Sequence, residues 1–263
     1  DRRQRQMCIR DSLLLAVIYL AFISLGLPDA LLGSAWPSMY PVFHVPVSYA
    51  GIISMIIAAG TVISSLQNDR LTKKLGTGKI TAISVATTAV ALIGFSVSHS
   101  FIALCLWAVP YGLGGGSVDA ALNNYVALHY ESRHMSWLHC FWGVGTIVSP
   151  FIMGYALTNR TWNSGYRIIG FLQLAIAILL LLTLPVWNIN KSATETAGKS
   201  VGLVGALKIK GVPFLLLGFF AYCALEATAM QWASTYFVEV KGISTERAAT
   251  FAACLLYTSP SPR

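Results

Sequence analysis

The sequence predicts an all-α, multi-pass membrane protein, and three observations carry that prediction. Of 263 residues, 56% are hydrophobic and only 11% are charged, less than half of the roughly 25% charge of a soluble domain. The mean hydropathy is +0.65. The apolar residues are gathered into runs of the length a helix needs to cross a bilayer, about 20 residues. So little charge cannot cover a water-soluble protein of this length. That excludes a soluble enzyme or a nucleic-acid-binding module, despite a formal net charge of +8.

Seven such runs and the start of an eighth follow in order. They lie near 13–35, 49–67, 80–98, 101–127, 137–158, 167–187 and 213–238, with a fragment at 245–254. None alternates with the period of two that barrel strands require, so each is read as a helix. None has the layout of a cleaved signal peptide.

The two ends do not match what they flank. Residues 1–12 (DRRQRQMCIRDS) and 255–263 (LLYTSPSPR) resemble translated sequencing-adapter sequence and are set aside from the expected fold. A genuine basic N-terminal tail is the alternative. Setting the ends aside leaves 13 basic and 8 acidic residues, a net +5.

The remaining Lys and Arg set the orientation. Arg70, Lys73, Lys74 and Lys79 follow the second run, Arg133 the fourth, and Lys191, Lys199, Lys208 and Lys210 the sixth, nine on one side. Arg160, Arg167, Lys241 and Arg247 make four on the other, and the first loop, 36–48, has none. The richer side is expected to be cytoplasmic, with the N-terminus inside. The stretch 188–212, rich in Lys, Ser, Thr and Gly, reads as a cytoplasmic linker between a six-helix unit at 13–187 and the start of a second unit at 213–254. Two helical units joined by a linker are the layout of a two-halved transporter.

Three acids fall inside the runs: Asp29, Asp119 and Glu226, with no Lys or Arg deep in any run to pair with them. Each costs about 2.5–3.5 kcal/mol at a helix centre on insertion scales, and marks a functional site by default. A carboxyl without a cation in low dielectric holds its proton more readily than one in water, which suits proton loading and release.

Asp29 lies in GLPDALLGSAWP. Pro28 removes a backbone donor and can kink the helix, and Gly26 and Gly33 allow close approach of a neighbour or ligand. An Asp that snorkels or caps a break is the other reading. Asp119 lies in GLGGGSVDAALNNY, where Gly112, Gly115, Gly116, Asp119 and Asn123 share one helix face. That face turns to a neighbouring helix or a cavity; a packing seam of small residues is the alternative. The GLGGG run is not a phosphate loop, lacking the GK[ST] ending and a preceding strand. His139 begins another stripe with Gly143, Thr146, Pro150 and Gly154, and is a packing residue or a direct participant. Glu226 lies in YCALEATAMQW with Gln231 and Trp232 nearby, a set that suits a polyol through aromatic faces, amides and carboxylates; a helix-packing hydrogen bond is the alternative.

No metal site or catalytic set is expected. His44, His99 and His129 are scattered, Cys8 lies in the excluded tail, and Cys105, Cys140, Cys223 and Cys254 show no C-x-x-C spacing. No Ser–His–Asp set or H-E-x-x-H helix is visible, so an enzyme is not expected and no cofactor beyond a coupling proton.

Across residues 13–254 the chain resembles the major facilitator superfamily, most closely its sugar branch around fucose permease. Asn68, Asp69, Arg70, Lys73, Lys74, Leu75 and Gly76 resemble the superfamily's basic loop signature, departing at Thr72 where glycine is common. PDALLGSAWP resembles the branch's first-span motif and carries Asp29. GSVDAALNN resembles the fourth-span motif and carries Asp119, where the permease has Glu, and Asn123. MSWLHCFWGVG resembles the fifth-span motif, with His139 where Gln is frequent. The surroundings of Glu226 and Trp232 resemble a seventh-span signature, and GVGTIVSPFIMG partly resembles a fifth-span motif of antiporters.

The resemblance implies twelve spans in two bundles, alternating access and sugar–proton symport in the plasma (inner) membrane by a monomer. Asp119 and Asp29 would couple protons. Asn123, His139, Glu226, Gln231 and Trp232 would bind a small sugar-like solute, and Asp69, Arg70, Lys73 and Lys74 would form a conformational loop. Proton-coupled efflux of an amphipathic compound and a non-transporting membrane protein are the alternatives. On this count the chain lacks about four spans, and as it stands is expected to insert but not to transport.

Overall fold

The computed structural model describes residues 2–187 and 203–258. Its elements run α1 (Arg2–Asp29), α2 (Leu31–Met39), a 3-10 turn (Val47–Tyr49), α3 (Ala50–Leu75), α4 (Thr77–Ser96), α5 (Phe101–His129), α6 (Ser132–Asn159), α7 (Trp162–Leu182), α8 (Leu203–Leu207), α9 (Val212–Glu239) and α10 (Thr245–Thr258). Among the described residues, seven segments are long and apolar enough to cross a membrane, at Asp11–Met39, Val47–Leu75, Thr77–Ser96, Phe101–His129, Ser132–Asn159, Trp162–Leu182 and Val212–Glu239. These are the seven runs read from the sequence, in the same order.

The differences lie at the ends of the helices. The first span is broken: Pro28 removes a backbone donor, and Ala30, with φ −91° and ψ 0°, separates α1 from α2. Upstream, α1 continues through residues 2–12 without interruption. The basic segment expected as a loop is helical. Asp69, Arg70, Lys73 and Lys74 ride the last two turns of α3, and the chain turns at Gly76 alone before α4 begins. Gly76 sits at φ 84°, a positive φ that favours glycine. Lys73 and Lys74 in the last turn complement the helix dipole. The larger part of the expected linker, residues 188–202, lies outside the described residues; its remainder forms α8 and the turn into α9.

Consecutive spans run up and down, so α3, α5 and α7 share an end with α4, α6 and α9. The end carrying Arg70, Lys73, Lys74 and Arg133 is called the basic end below. The principal pairs are α3 on α5, α4 on α5 and α7, and α1 on α6. α9 lies against α2, and α10 packs on α6 and α9.

The bundle holds two apolar cores. Trp36, Met39, Ile53, Phe95, Tyr111 and Tyr166 build one towards the far end. Leu14, Ile18, Val85, Leu122, Leu138 and Leu180 build the other towards the basic end. Between them Gln173 of α7 accepts from Thr88 Oγ1 of α4 at 2.9 Å and donates to the Ser24 carbonyl of α1. A buried amide satisfied in this way joins three helices at mid-depth.

Candidate functional site

Glycines set the close approaches that shape the centre of the molecule. A Cβ on Gly26 would lie 2.1 Å from the Trp142 carbonyl oxygen, and one on Gly145 would lie 2.4 Å from the Ile23 carbonyl, so α1 and α6 touch backbone to backbone. That contact brings the Trp142 indole onto Asp29: Nε1–H donates to Oδ2 at 2.8 Å. From α5 the Tyr111 hydroxyl donates to Oδ1 of the same carboxyl at 3.3 Å. Asp29, at the end of α1, is thereby gripped from two other spans.

The glycine stripe of α5 divides into two faces. Gly112 and Gly116 would meet the Ile57 and Thr61 carbonyls of α3 at 2.2 and 2.4 Å, and form the packing seam. Gly115 meets nothing within 4 Å and lines the cavity together with Asp119. The packing and cavity readings of the stripe both hold, each for its own residues.

The cavity has two lobes. The larger, about 1010 Å³, is lined by Asp29, Asp119, His139, Trp142, Glu226 and Gln173 among others, and includes Ser136 in the second turn of α6, near the basic end. The smaller, about 500 Å³, lies towards the far end and is lined by Asp29, Tyr111, Trp142, Tyr166, Glu226, Gln231 and Trp232 among others. Both volumes fall in the range of ligand-binding cavities. Asp29 and Glu226 line both lobes, whereas Asp119 and His139 line the larger one only. Among the described residues, no Lys or Arg lines either lobe.

The structure therefore gathers Asp29, Asp119, His139 and Glu226 around one space and sets Gln231 and Trp232 at its far lobe. Asn123 lines neither lobe. Its Nδ2–H donates to Asp119 Oδ1 at 2.8 Å and to the Asp119 carbonyl at 3.0 Å, so it holds the carboxyl in place. His139 packs edge-on against Phe22, with ring centroids 5.9 Å apart. Gln231 Oε1 accepts from Ser54 Oγ at 2.9 Å, tying α9 to α3, and its Nε2 is buried without a partner. Asp69, Arg70, Lys73 and Lys74 are exposed at the basic end, away from the cavity. No group of His, Cys, Asp and Glu among the described residues could hold a metal ion.

Sequence reasoning passed over Tyr111, Trp142, Tyr166 and Gln173. Gln173 had a signal, being a single amide in the apolar run RIIGFLQLAIA, but an uncharged amide stands out less in such a run than a carboxyl. Trp142 stands one turn after His139 and was legible only as an aromatic on that face.

At the far end α2 packs directly against α9. A Cβ on Gly33 of α2 would lie 2.1 Å from the Met230 carbonyl of α9. Beyond it the Tyr40 hydroxyl donates to Glu239 Oε1 at 2.5 Å. That hydrogen bond is the main cause holding the Tyr40 proton above the ordinary tyrosine range.

Among known proteins, the chain is 24% identical over 190 residues to the cis,cis-muconate transport protein of Acinetobacter baylyi, covering 70% of this chain and 46% of that one. It is 24% identical over 151 residues to synaptic vesicle glycoprotein 2B of Rattus norvegicus, covering 56% of this chain and 22% of that one. The chain spans less than half the length of these curated relatives. Among solved structures it is similar to a D-xylose–proton symporter, with TM-score 0.64 and 14% identity over 93% of this chain and 65% of that one. It is also similar to the xylose transporter XylE from E. coli in an inward open conformation, with TM-score 0.57 and 15% identity over 93% and 64%. At that identity the likeness concerns the fold. Residues 18–261 match the family model described as Major Facilitator Superfamily, and the chain belongs to that family.

Proposed function

We propose that the protein is a secondary transporter that takes up a sugar or similar small polar solute with protons by alternating access. One observation carries this reading: carboxyls from α1, α5 and α9 converge on a single cavity between the six-span bundle and α9, with no Lys or Arg among the described residues that line it. Acids inside a membrane protein are costly and mark ion or substrate paths. The xylose–proton symporter neighbours support sugar symport. The resemblance of the PDALLGSAWP and GSVDAALNN runs to fucose permease motifs supports an assignment to that sugar branch.

Asp119, held by Asn123, is the proton-coupling carboxyl. Asp29 transmits protonation to α5 and α6 through Tyr111 and Trp142. Glu226, Gln231, Trp232 and His139 contact the solute. The turns carrying Asp69, Arg70, Lys73 and Lys74 serve as the conformational element. The protein resides in the plasma (inner) membrane as a monomer, with the basic end cytoplasmic, and needs no cofactor beyond the proton. The larger lobe then faces the cytoplasm while α2 and α9 close the outside.

Asp119→Asn in the full-length protein, reconstituted in proteoliposomes, tests the reading. Proton-driven accumulation of labelled D-xylose or L-fucose should disappear while counterflow exchange continues. Accumulation that survives the change would remove Asp119 from coupling. Efflux of an amphipathic compound has one observation in its favour: α6 carries Pro150 and Gly154 of the antiporter-like run against α10, Gly154 facing Glu246 and Thr250. Raised drug tolerance without sugar uptake on expression would select that alternative.

A further inference from the structure

We propose that Gln173 is a positioning residue for the Asp29 carboxyl: its amide takes up the Ser24 carbonyl that Pro28 leaves without a donor, and so sets the bend of α1 that presents Asp29 to Tyr111 and Trp142. The geometry stands by itself, and its bearing on coupling rests on the transport reading above.

In an α-helix each N–H donates to the carbonyl four residues back. Position 28 is a proline inside α1, so the bond from residue 28 to Ser24 cannot form, and the proline ring crowds the same carbonyl. A backbone acceptor in a dry interior needs another partner. A proline within a membrane span is tolerated where a neighbouring helix supplies one. Ser24 is 0% exposed. Its carbonyl accepts from Nε2 of Gln173, which stands 149 residues later on α7 and is 1% exposed. The donor that the kink removes is returned by a different span.

The amide serves in one orientation only. A carbonyl accepts and never donates, so the nitrogen of Gln173 faces Ser24 and its oxygen faces Thr88. Thr88 Oγ1 donates to that oxygen at 2.9 Å. A Cβ on Gly114 of α5 would lie 2.7 Å from the Thr88 methyl, so α5 backs the residue that orients the amide. Two residues beyond Ser24, Gly26 lies against the Trp142 carbonyl of α6. The end of α1 is thus fixed on α7 at Ser24 and on α6 at Gly26, and Asp29 follows just before the break at Ala30. Where these two contacts leave the helix end decides whether the carboxyl meets the Trp142 indole at 2.8 Å and the Tyr111 hydroxyl at 3.3 Å. Gln173 acts on Asp29 through the backbone of α1, since the carboxyl oxygens are taken by Tyr111 and Trp142.

A double-mutant cycle tests the assignment, because Pro28→Ala restores the N–H that the Ser24 carbonyl lacks. Thermal unfolding of the purified full-length protein is followed for Gln173→Met, for Pro28→Ala and for the two together. Gln173→Met should lower the midpoint by several degrees in the native background and by less than half as much beside Pro28→Ala. No loss in the native background, or equal losses in both, would overturn the inference and leave Gln173 as a packing amide between α4 and α7. If Gln173→Met does not fold, adding Pro28→Ala should restore a folded protein, and failure to restore it overturns the inference as well. Positioning has its own readout in Trp142→Phe, which deletes the donor to Asp29 Oδ2. That change should cost less in the Gln173→Met background than in the native one, and regain its cost when Pro28→Ala is added. An unchanged cost would show that Asp29 is held without Gln173. In proteoliposomes, Gln173→Met should lose proton-driven accumulation of labelled D-xylose, and Pro28→Ala should return it; accumulation that persists in Gln173→Met would also overturn the inference. Failure of the native protein to accumulate D-xylose counts against the transport reading alone, because the unfolding cycles need no solute and decide the inference by themselves.

Discussion

Asp29 shows how backbone contacts place a side chain. The α1–α6 seam exists because Gly26 and Gly145 have no Cβ, and the seam brings Trp142 onto the carboxyl. Gly26→Ala would put a methyl 2.1 Å from a main-chain oxygen that cannot rotate away. Overpacking of this kind costs about 1–3 kcal/mol, so thermal unfolding of the purified protein should show a lower midpoint. Gly143→Ala, on a glycine with nothing within 4 Å, should leave the midpoint unchanged. Equal midpoints for both variants would mean that α1 and α6 are free to separate. Trp142→Phe keeps the ring and deletes the donor. A hydrogen bond to such a carboxyl contributes about 1–3 kcal/mol. In a double-mutant cycle with Asp29→Ala the two changes should therefore couple rather than add; additivity would show that the 2.8 Å contact carries no energy.

The helices themselves were legible because a span announces itself by length and hydropathy alone. The seven runs recur as seven candidate spans. The break at Ala30 was foreshadowed by Pro28. The helical course of Asp69–Lys74 was not, because charge density was taken as the mark of a loop while the α-helix simply extends past its apolar part. Asp29, Asp119 and Glu226 stood out because charge is rare in the chain. Tyr111, Trp142 and Tyr166 did not, since tyrosine and tryptophan in an apolar run look the same whether they pack or line a cavity.

The closure of α2 on α9 is likewise a contact between helices that no linear motif reports. Gly33→Leu should wedge the two apart. A cysteine at position 54, in a background without the native cysteines, should then react faster with a membrane-impermeant maleimide added from the far side. An unchanged rate would place the closure elsewhere. The Tyr40–Glu239 bond lies at the same end. Its pH response follows from the raised Tyr40 pKa. The contact is fully present below the ordinary tyrosine value of about 10 and is lost only as pH rises through the raised value. Labelling at position 54 should therefore be flat from about pH 6 to 9 and climb in stronger alkali; Tyr40→Phe should remove the climb.

For the molecule as a whole, the α2–α9 contact at the far end predicts access to the larger lobe from the basic end. Cys140 on α6 lines the larger lobe only, whereas Cys223 on α9 lines both lobes. Cys140 is exposed to that space. If the basic end is cytoplasmic, as the expected orientation from nine Lys and Arg against four has it, a hydrophilic maleimide reaches Cys140 from the cytoplasm. With Cys140 as the sole cysteine, inside-out vesicles should label readily and right-side-out vesicles should not. A solute bound in the cavity should slow the inside-out reaction by shielding Cys140, because Cys140 lines the same lobe as Glu226. The reverse sidedness would invert the topology and make the closed α2–α9 end cytoplasmic. Labelling from both sides at equal rates would mean that Gly33 and Tyr40 do not seal the far end. In that event the two lobes would form a continuous pore, and alternating access could not operate through them.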